Sequence, residues 1–357
     1  MALPGRILET SEQARDDSQP EPQGRPLARQ GAREDPGRPR GSTLPCSRPP
    51  DFGGGRAFLS PLLGCRAKCG YCYIRSFGYH QRVGVANAYG LANSLRDLHA
   101  DSRFLPGARG TIISIGAWGD PFPARQDEER AVSLEWVIAA MASGNPVQVM
   151  SRFNPGVDIL TSIANAQSWA GQVLYSTSIT TASHWELFER YSAPPAERME
   201  ALRIAKSLGI PTNVMVKPFI PAVTGSPAEV DAISTLIRGA DASTVVVGDY
   251  AFDKRIDTII QALGSRGGIE PVPVESEVGH PLDCAGASEL EVSRAGLDVI
   301  AFVAALRSQG IPAFRKSACA SAWVQSADLG LRGLPEMHGL CVGCGLCATD
   351  PAAAGPG

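Results

Sequence analysis

Between residues 56 and 250, short apolar segments rich in β-branched residues alternate with segments of helical character. Near-continuous apolar runs of this length are typical of parallel strands that are buried on both faces. Six such runs occur, at residues 56–63, 110–117, 146–151, 172–179, 212–219 and 243–250. Strands that alternate with helices favour a parallel sheet with right-handed crossovers. The sequence therefore predicts an α/β fold, a partial (β/α)6 TIM-like barrel over residues 53–314.

The helical segments carry recognisable end signals. They span residues 126–143, 154–166 and 195–209. Asn154 followed by Pro155 fits an N-cap with proline at the first helical position, and Gly209 fits the position just past a last turn. A further helix near 286–308 and a short strand at 311–317 are expected to close one side of the barrel. Chemistry in such barrels lies at the C-terminal ends of the strands.

Three cysteines, Cys65, Cys69 and Cys72, directly follow the first predicted strand. Thiolates with this spacing can wrap one loop around a [4Fe–4S] cluster, whose irons are held by cysteine sulfur. Three ligands for four irons leave one iron open, and that iron can chelate the amino and carboxylate groups of S-adenosylmethionine (SAM). Structural zinc is the alternative, but zinc usually takes four protein ligands, often in paired C-x2-C units. The spacing therefore favours the cluster.

These residues match the signature of the radical SAM superfamily, and the chain resembles its spore photoproduct lyase-like branch in particular. The resemblance covers roughly residues 56–260. It is carried by SPLLGCRAKCGYCY (60–73), GAWGDPF (116–122), SRFNPGVDIL (151–160) and STSITT (176–181), and it continues through 194–211 and 214–221. The resemblance implies an enzyme that generates a 5′-deoxyadenosyl radical from SAM inside a partial barrel.

The same resemblance implies a set of SAM contacts at the strand ends. Gly119 and Asp120 stand where the family contacts the methionine amino group, and Arg152 where a basic residue meets the carboxylate. The remaining implied contacts are Ser178 on the fourth strand, Lys217 facing the same mouth, and Tyr71 and Tyr73 near the adenine. Asp120 also fits a simple turn before proline, and Arg152 also fits a solvated surface charge.

A second cysteine triplet, Cys341, Cys344 and Cys347, resembles half of a bacterial ferredoxin motif. The fourth cysteine of that motif is replaced by Asp350, ahead of Pro351. We expect a second, auxiliary [4Fe–4S] cluster in a small C-terminal module, residues 315–357, with a zinc knuckle as the alternative. The best candidate for its fourth ligand is Cys319, which lies 22 residues upstream of Cys341 in the same module. Asp350, Cys284 and a group from outside the protein are the alternatives.

The composition and net charge of the chain limit the kinds of partner that it is expected to bind. The net charge of −3 and a pI of about 6.0 give no strong basic field, so duplex DNA is not an expected partner. Residues 1–52 are rich in proline and charge and are predicted to form a disordered tail. No apolar stretch is long enough for a membrane span, and a cytoplasmic location is expected. Nine cysteines in a reducing compartment favour metal ligation over disulfides.

Three classes of function fit these features. The first is sulfur insertion, in which a carbon radical takes sulfur from the auxiliary cluster. On this interpretation the chain resembles the sulfur-for-oxygen replacing enzymes of albomycin biosynthesis. That resemblance implies a role in antibiotic biosynthesis, a nucleotide substrate and a reductant such as flavodoxin or ferredoxin. The second uses the auxiliary cluster as an electron relay or substrate anchor for dehydrogenation or epimerisation. The third is a non-catalytic iron–sulfur electron carrier. Lesion repair of the photoproduct-lyase type fits the core but not the acidic pI.

Overall fold

The alternating segments fold into one curled, largely parallel sheet with helices around it, a partial TIM-like barrel as predicted. The computed structural model describes residues 47–53, 56–77, 79, 83–248, 251–252, 254–271, 291–292 and 296–328. Most of the predicted tail lies outside the described residues, as do Cys284, Asp350 and the second cysteine triplet. None of the described helices is long and apolar enough to span a membrane.

Eight strands form the main sheet, in the order β1-β2-β5-β6-β7-β8-β9-β12. All of its strand pairs are parallel except β1 with β2. The strands of the described chain are β1 (Asp51–Gly53), β2 (Arg56–Leu59), β3 (Leu62–Leu63), β4 (Val85–Ala86), β5 (Ile112–Ile115), β6 (Val147–Met150), β7 (Val173–Ser178), β8 (Thr212–Val216), β9 (Thr244–Val247), β10 (Ala251–Phe252), β11 (Glu291–Val292) and β12 (Ala313–Phe314).

Helices lie between most successive strands of this sheet, and α9 follows the last strand. Those of the described chain are α1 (Leu91–Ala100), α2 (Asp127–Ala142), α3 (Val157–Asn165), α4 (Trp185–Phe188), α5 (Pro195–Ser207), α6 (Pro227–Ala240), α7 (Lys254–Arg266), α8 (Gly296–Ser308) and α9 (Ser317–Asp328), with a 3₁₀ turn at Tyr73–Phe77. The predicted closing strand is β12, which pairs with β9.

Side chains alternate between the two faces of each strand, and this alternation builds the core. Val147 and Val149 of β6 are fully buried in the main hydrophobic cluster, where residues from α2 and α5 such as Met141 and Leu202 also pack. Gln148, between the two valines, is equally buried but hydrogen-bonds to side chains on neighbouring strands instead. The apolar face therefore packs under the helices, and the other face lines the barrel interior.

The predicted ends of helices and strands agree with the structure at some residues and differ from it at others. Gly209 has a φ of 78°, as expected past the end of α5. The predicted N-cap at Asn154 is wrong, because α3 begins at Val157 after Gly156, and the Asn154 side chain instead accepts the Gly156 N–H at 2.8 Å. The first predicted strand is interrupted at Pro61, which has no N–H to donate to a ladder. β3 then pairs with β4 outside the main sheet.

Candidate active site

The loop after β3 brings the first three cysteines to one cavity. Cys65, Cys69 and Cys72 all line this cavity, which has a volume of about 210 Å³. Lys68 has a φ of 49°, and the N–H of Cys72 donates to the Cys69 carbonyl at 3.2 Å, which together turn the chain between the ligands. The N–H of Gly70 donates to the Phe188 carbonyl at 2.8 Å and fixes the loop to the last residue of α4.

Burial is the largest influence on the pKa values of Cys65 and Cys69. Burial raises the pKa of Cys69 to about 12, with Glu189 and Cys72 adding to the rise and Arg152 opposing it. Burial, followed by the charges of Asp120, Cys69 and Cys72, raises the pKa of Cys65 well above its ordinary value. Buried thiolates that repel one another need cations between them, and iron supplies that charge in a cluster.

The number and chemistry of the three thiols can be compared with the needs of a [4Fe–4S] cluster. Among the described residues, no three His, Cys, Asp or Glu side chains converge closely enough to hold one ion. A [4Fe–4S] cluster requires a different arrangement of ligands from a single ion. Each thiolate binds a separate iron, so the thiolates remain apart. Three thiolates around one cavity therefore suit a [4Fe–4S] cluster with one open iron, as the spacing predicts.

Asp120 lies in the cavity wall and is held by three donors. Its Oδ1 accepts the Ser151 hydroxyl at 2.7 Å and the Phe122 N–H at 3.0 Å, and its Oδ2 accepts the Arg152 N–H at 2.6 Å. Burial raises the pKa of Asp120, although these hydrogen bonds oppose the rise. The carboxylate is more than a turn residue, since it fixes the ends of β5 and β6 to each other.

Gly119 is required by a close approach of two backbone segments. A Cβ added at Gly119 would lie 2.6 Å from the carbonyl oxygens of both Leu62 and Gly64, just ahead of the first cysteine. The Gly64 N–H also donates to the Trp118 carbonyl at 2.9 Å. The loop that carries Asp120 therefore packs directly against the loop that carries the cysteines.

Arg152 is part of a buried charge cluster. Its Nη1 pairs with Glu189 at 2.9 Å, and Glu189 also pairs with Arg198 at 2.5 Å. The Tyr71 hydroxyl donates to Glu189 as well, and the Arg152 guanidinium lies 5.2 Å from the Tyr71 ring centre. Two guanidinium groups against one carboxylate leave one positive charge beside the cavity, so Arg152 is not a solvated surface charge.

The other predicted residues lie around the same cavity. The Tyr73 hydroxyl donates to the Ala117 carbonyl at 2.7 Å. The carbonyl of Ser178 accepts Arg198 Nη1 at 2.6 Å, and that of Lys217 accepts Arg152 Nη2 at 3.3 Å. All seven predicted cofactor residues line the cavity: Tyr71, Tyr73, Gly119, Asp120, Arg152, Ser178 and Lys217. Their individual contacts with SAM stay predictions.

Cys319, the favoured fourth ligand of the auxiliary cluster, lies on α9. It packs against a small cluster that contains Met215, Phe314 and Ala320, and it is not among the residues that line the cavity. The other predicted ligands of that cluster fall outside the described part of the chain, so the auxiliary site stays a prediction from spacing.

Glu189 and Arg198 were not predicted from the sequence. Arg198 had a detectable signal, because it lies on the face of α5 that buries Leu202 and Ala205, at i+4 and i+7. A basic residue on an apolar face indicates a buried ion pair. Glu189 follows the four-residue helix α4 and has no comparable pattern.

A chain of polar side chains across the barrel interior was also missed. Gln148 accepts Arg56 at 2.7 Å and donates to the Ser176 hydroxyl at 3.0 Å. Ser176 is bonded in turn to Asn213 at 3.2 Å, and Asn213 to Thr244 at 3.1 Å. Each residue comes from a different strand, so the signal is the presence of polar residues within the apolar runs.

Solved structures of spore photoproduct lyase share this fold. A double mutant with bound AdoMet and dinucleoside spore photoproduct has a TM-score of 0.52 and 14% identity over 72% of this chain and 75% of that chain. The complex with dinucleoside spore photoproduct has a TM-score of 0.52 and 15% identity over 71% and 74%. The sequence matches no protein-family model and no curated protein. At this identity the likeness shows a common fold, the half-barrel of spore photoproduct lyase.

Proposed function

We propose that the protein is a radical SAM enzyme. One observation carries the proposal: Cys65, Cys69 and Cys72 line a single cavity together with Asp120 and Arg152. Support comes from the shared fold with spore photoproduct lyase, a structure of which holds AdoMet. When bound, a [4Fe–4S] cluster with an open iron supplies the electron that cleaves SAM to methionine and a 5′-deoxyadenosyl radical.

The residues around the cavity divide the binding of SAM between them. An ionised carboxylate offers about four acceptor positions, and three donors occupy Asp120, so Asp120 has room to accept the methionine amino group. A guanidinium carries about five N–H donors, enough for Arg152 to hold Glu189 and also a carboxylate. The net positive charge of Arg152, Arg198 and Glu189 favours that carboxylate.

Cluster binding is tested by anaerobic reconstitution of the full chain with iron and sulfide. We expect the Cys69→Ala chain to lose about four irons relative to the wild type. The reduced wild type should show a [4Fe–4S]⁺ electron paramagnetic resonance signal that changes when SAM is added. A SAM-responsive signal that survives in Cys69→Ala would contradict the assignment of the cysteines.

We further propose that the reaction inserts sulfur into a nucleotide. The support is the triplet Cys341, Cys344 and Cys347 with Asp350 in place of a fourth cysteine. An auxiliary cluster whose fourth iron has no cysteine from the same motif suits sulfide donation. Cys341, Cys344 and Cys347 would hold the auxiliary cluster, which would supply sulfide and accept one electron. The hydrogen abstracted from a substrate carbon would go to 5′-deoxyadenosine, and the carbon–hydrogen bond would be replaced by a carbon–sulfur bond. Flavodoxin or ferredoxin, cytoplasmic carriers, would supply the initial electrons.

Sulfur insertion is tested with clusters reconstituted from ³⁴S-sulfide. The protein is incubated with dithionite, SAM and a panel of nucleotides that includes CDP, and the product masses are measured. A product that gains sulfur, and that shifts by the isotope difference when the cluster is labelled, is the expected result. 5′-Deoxyadenosine with no sulfur-bearing product from any nucleotide would contradict sulfur insertion and favour the electron-relay alternative.

A further inference from the structure

The cavity has a second wall, opposite the cysteine loop. β2 and β12 are the first and last of the seven parallel strands. The cysteine loop follows β2 and β3, α9 begins at Ser317 directly after β12, and Ser317 lines the same cavity as the cysteines. A molecule that lies against the SAM site therefore meets the start of α9 on its other side.

The hydroxyl of Ser317 is buried without a partner. The residue is 4% exposed, and its Oγ makes no hydrogen bond within the described part of the chain. A buried hydroxyl that makes no hydrogen bond costs free energy, and in a cavity wall a ligand can offset that cost. This orphaned oxygen therefore points to a polar ligand in the cavity.

The charges around Ser317 favour an anion. α9 has 12 residues and no acidic residue in its first turn, and Arg315 and Lys316 precede it. A helix N-terminus carries partial positive charge and attracts anions. The described lining of the cavity contains four cationic side chains and one carboxylate: Arg56, Lys68, Arg152 and Lys217 against Asp120.

The Lys217 side chain lies close to Gly248, on the side of the cavity where α9 begins. A Cβ added at Gly248 would lie 3.2 Å from Cδ of Lys217 and 3.4 Å from its Cε. Gly248 directly follows β9, the strand between β8, which leads to Lys217, and β12, which leads to α9. The missing side chain at Gly248 thus gives the Lys217 stem room to lie over the strand next to β12.

We propose that the start of α9, with Ser317 and with Lys217 in place of its predicted SAM contact, binds the phosphate of a phosphorylated substrate. The inference rests on the proposed function, because it assigns the far wall of that same cavity to the substrate. Phosphate sites of β/α barrels frequently form at the last βα loops and the N-terminus of a short extra helix. The carboxylate of SAM, the other anion of the reaction, belongs to Arg152 on the opposite wall.

The test titrates the reconstituted full chain with inorganic phosphate and, separately, with SAM, by calorimetry. The variants are Ser317→Ala and a matched control, Ser321→Ala. Ser321 lies one turn later on α9, and its buried hydroxyl also has no partner among the described residues, but it does not line the cavity. We expect Ser317→Ala to weaken phosphate binding by about tenfold, the effect of one hydrogen bond to a charged group. Ser321→Ala should leave it unchanged.

Three results would overturn the proposal. They are a wild-type chain that binds no phosphate, equal weakening by both serine variants, and a Ser317→Ala variant that weakens SAM instead of phosphate. Lys217→Gln provides a second variant and should also weaken phosphate binding. The phosphate titration requires no SAM cleavage, so intact phosphate binding without 5′-deoxyadenosine would contradict the radical SAM assignment and leave the phosphate site standing.

Discussion

Arg198 and Glu189 form an ion pair in which neither side chain is exposed, with 2.5 Å between their charged atoms. Arg198 also donates to the carbonyls of Ser178 and Ala193 at 2.6 Å each, so the pair ties the end of β7 to α5. Glu189 in turn holds Arg152 at the cavity. The position of the predicted SAM carboxylate ligand therefore depends on two residues behind it.

Replacement of Glu189 by glutamine should destabilise the protein and weaken SAM binding. Removing one partner from a buried ion pair leaves uncompensated charge, and we expect the free energy of unfolding to fall by about 3–5 kcal/mol in urea titrations. Glu200→Gln is the control, since its pair with Arg203 is half-exposed and should cost less than about 1 kcal/mol. Similar losses in the two variants would contradict the role of Glu189.

The same carboxylate should make stability depend on acid pH. Burial raises the pKa of Glu189, but Arg198 and Arg152 outweigh it and hold the pKa below the ordinary value of 4.5. The unfolded chain then binds the proton more tightly, so this stabilisation is complete above pH 4.5 and is lost as pH falls through the folded-state pKa. The stability difference between wild type and Glu189→Gln should shrink below that pH. A stability difference between the two chains that grows as the pH falls would contradict the lowered pKa of Glu189.

Asp120→Asn should impair SAM binding while the cluster still assembles. The amide has one acceptor oxygen where the carboxylate has two, and its NH₂ faces donors from Ser151 or Arg152. Loss of a charge-assisted hydrogen bond should raise the SAM Kd by roughly 10- to 100-fold. Ser151→Ala removes one donor and keeps the carboxylate, so it should have a smaller effect. Unchanged SAM affinity in Asp120→Asn would exclude the proposed contact.

Gly119→Ala should disturb the cysteine loop. The new methyl group would meet the carbonyls of Leu62 and Gly64 at 2.6 Å, and overpacking of this kind typically costs about 1–3 kcal/mol. The iron content after reconstitution should fall together with the stability of the Gly119→Ala chain. Gly239→Ala in α6 is the control: its Cβ would have only Arg203 within 4.0 Å, and the change should stabilise the helix by about 0.5–1 kcal/mol. Full iron loading in Gly119→Ala would contradict the close approach.

The half-barrel, and the placement of the first cysteine triplet and the seven predicted SAM contacts around one cavity, followed from the sequence because their signals are local. Arg56, Lys68 and Ser317, which also line the cavity, were not predicted. Apolar runs identify strands, and residues that follow successive parallel strands meet at one end of the sheet. That rule places Asp120 after β5, Arg152 after β6 and Lys217 after β8 around one cavity.

The supporting contacts could not be predicted in the same way, because they join residues that are far apart in sequence. Glu189 bonds to Tyr71 across 118 positions, and no local pattern marks such a pair. The polar chain through Gln148 depends on strand register, which sets Asn213 opposite Ser176 on one side and opposite Thr244 on the other. The N-cap at Asn154 failed because its side chain closes a turn with Gly156 before the helix begins.

The radical SAM assignment is tested most directly by SAM cleavage. The full chain is reconstituted anaerobically, reduced with dithionite and incubated with SAM, and 5′-deoxyadenosine is measured by mass spectrometry. We predict 5′-deoxyadenosine from the wild type and from Cys319→Ala, whose thiol lies outside the cavity lining, and none from Cys69→Ala. No 5′-deoxyadenosine from the iron-loaded wild type, or equal amounts from the Cys69→Ala chain, would contradict the assignment.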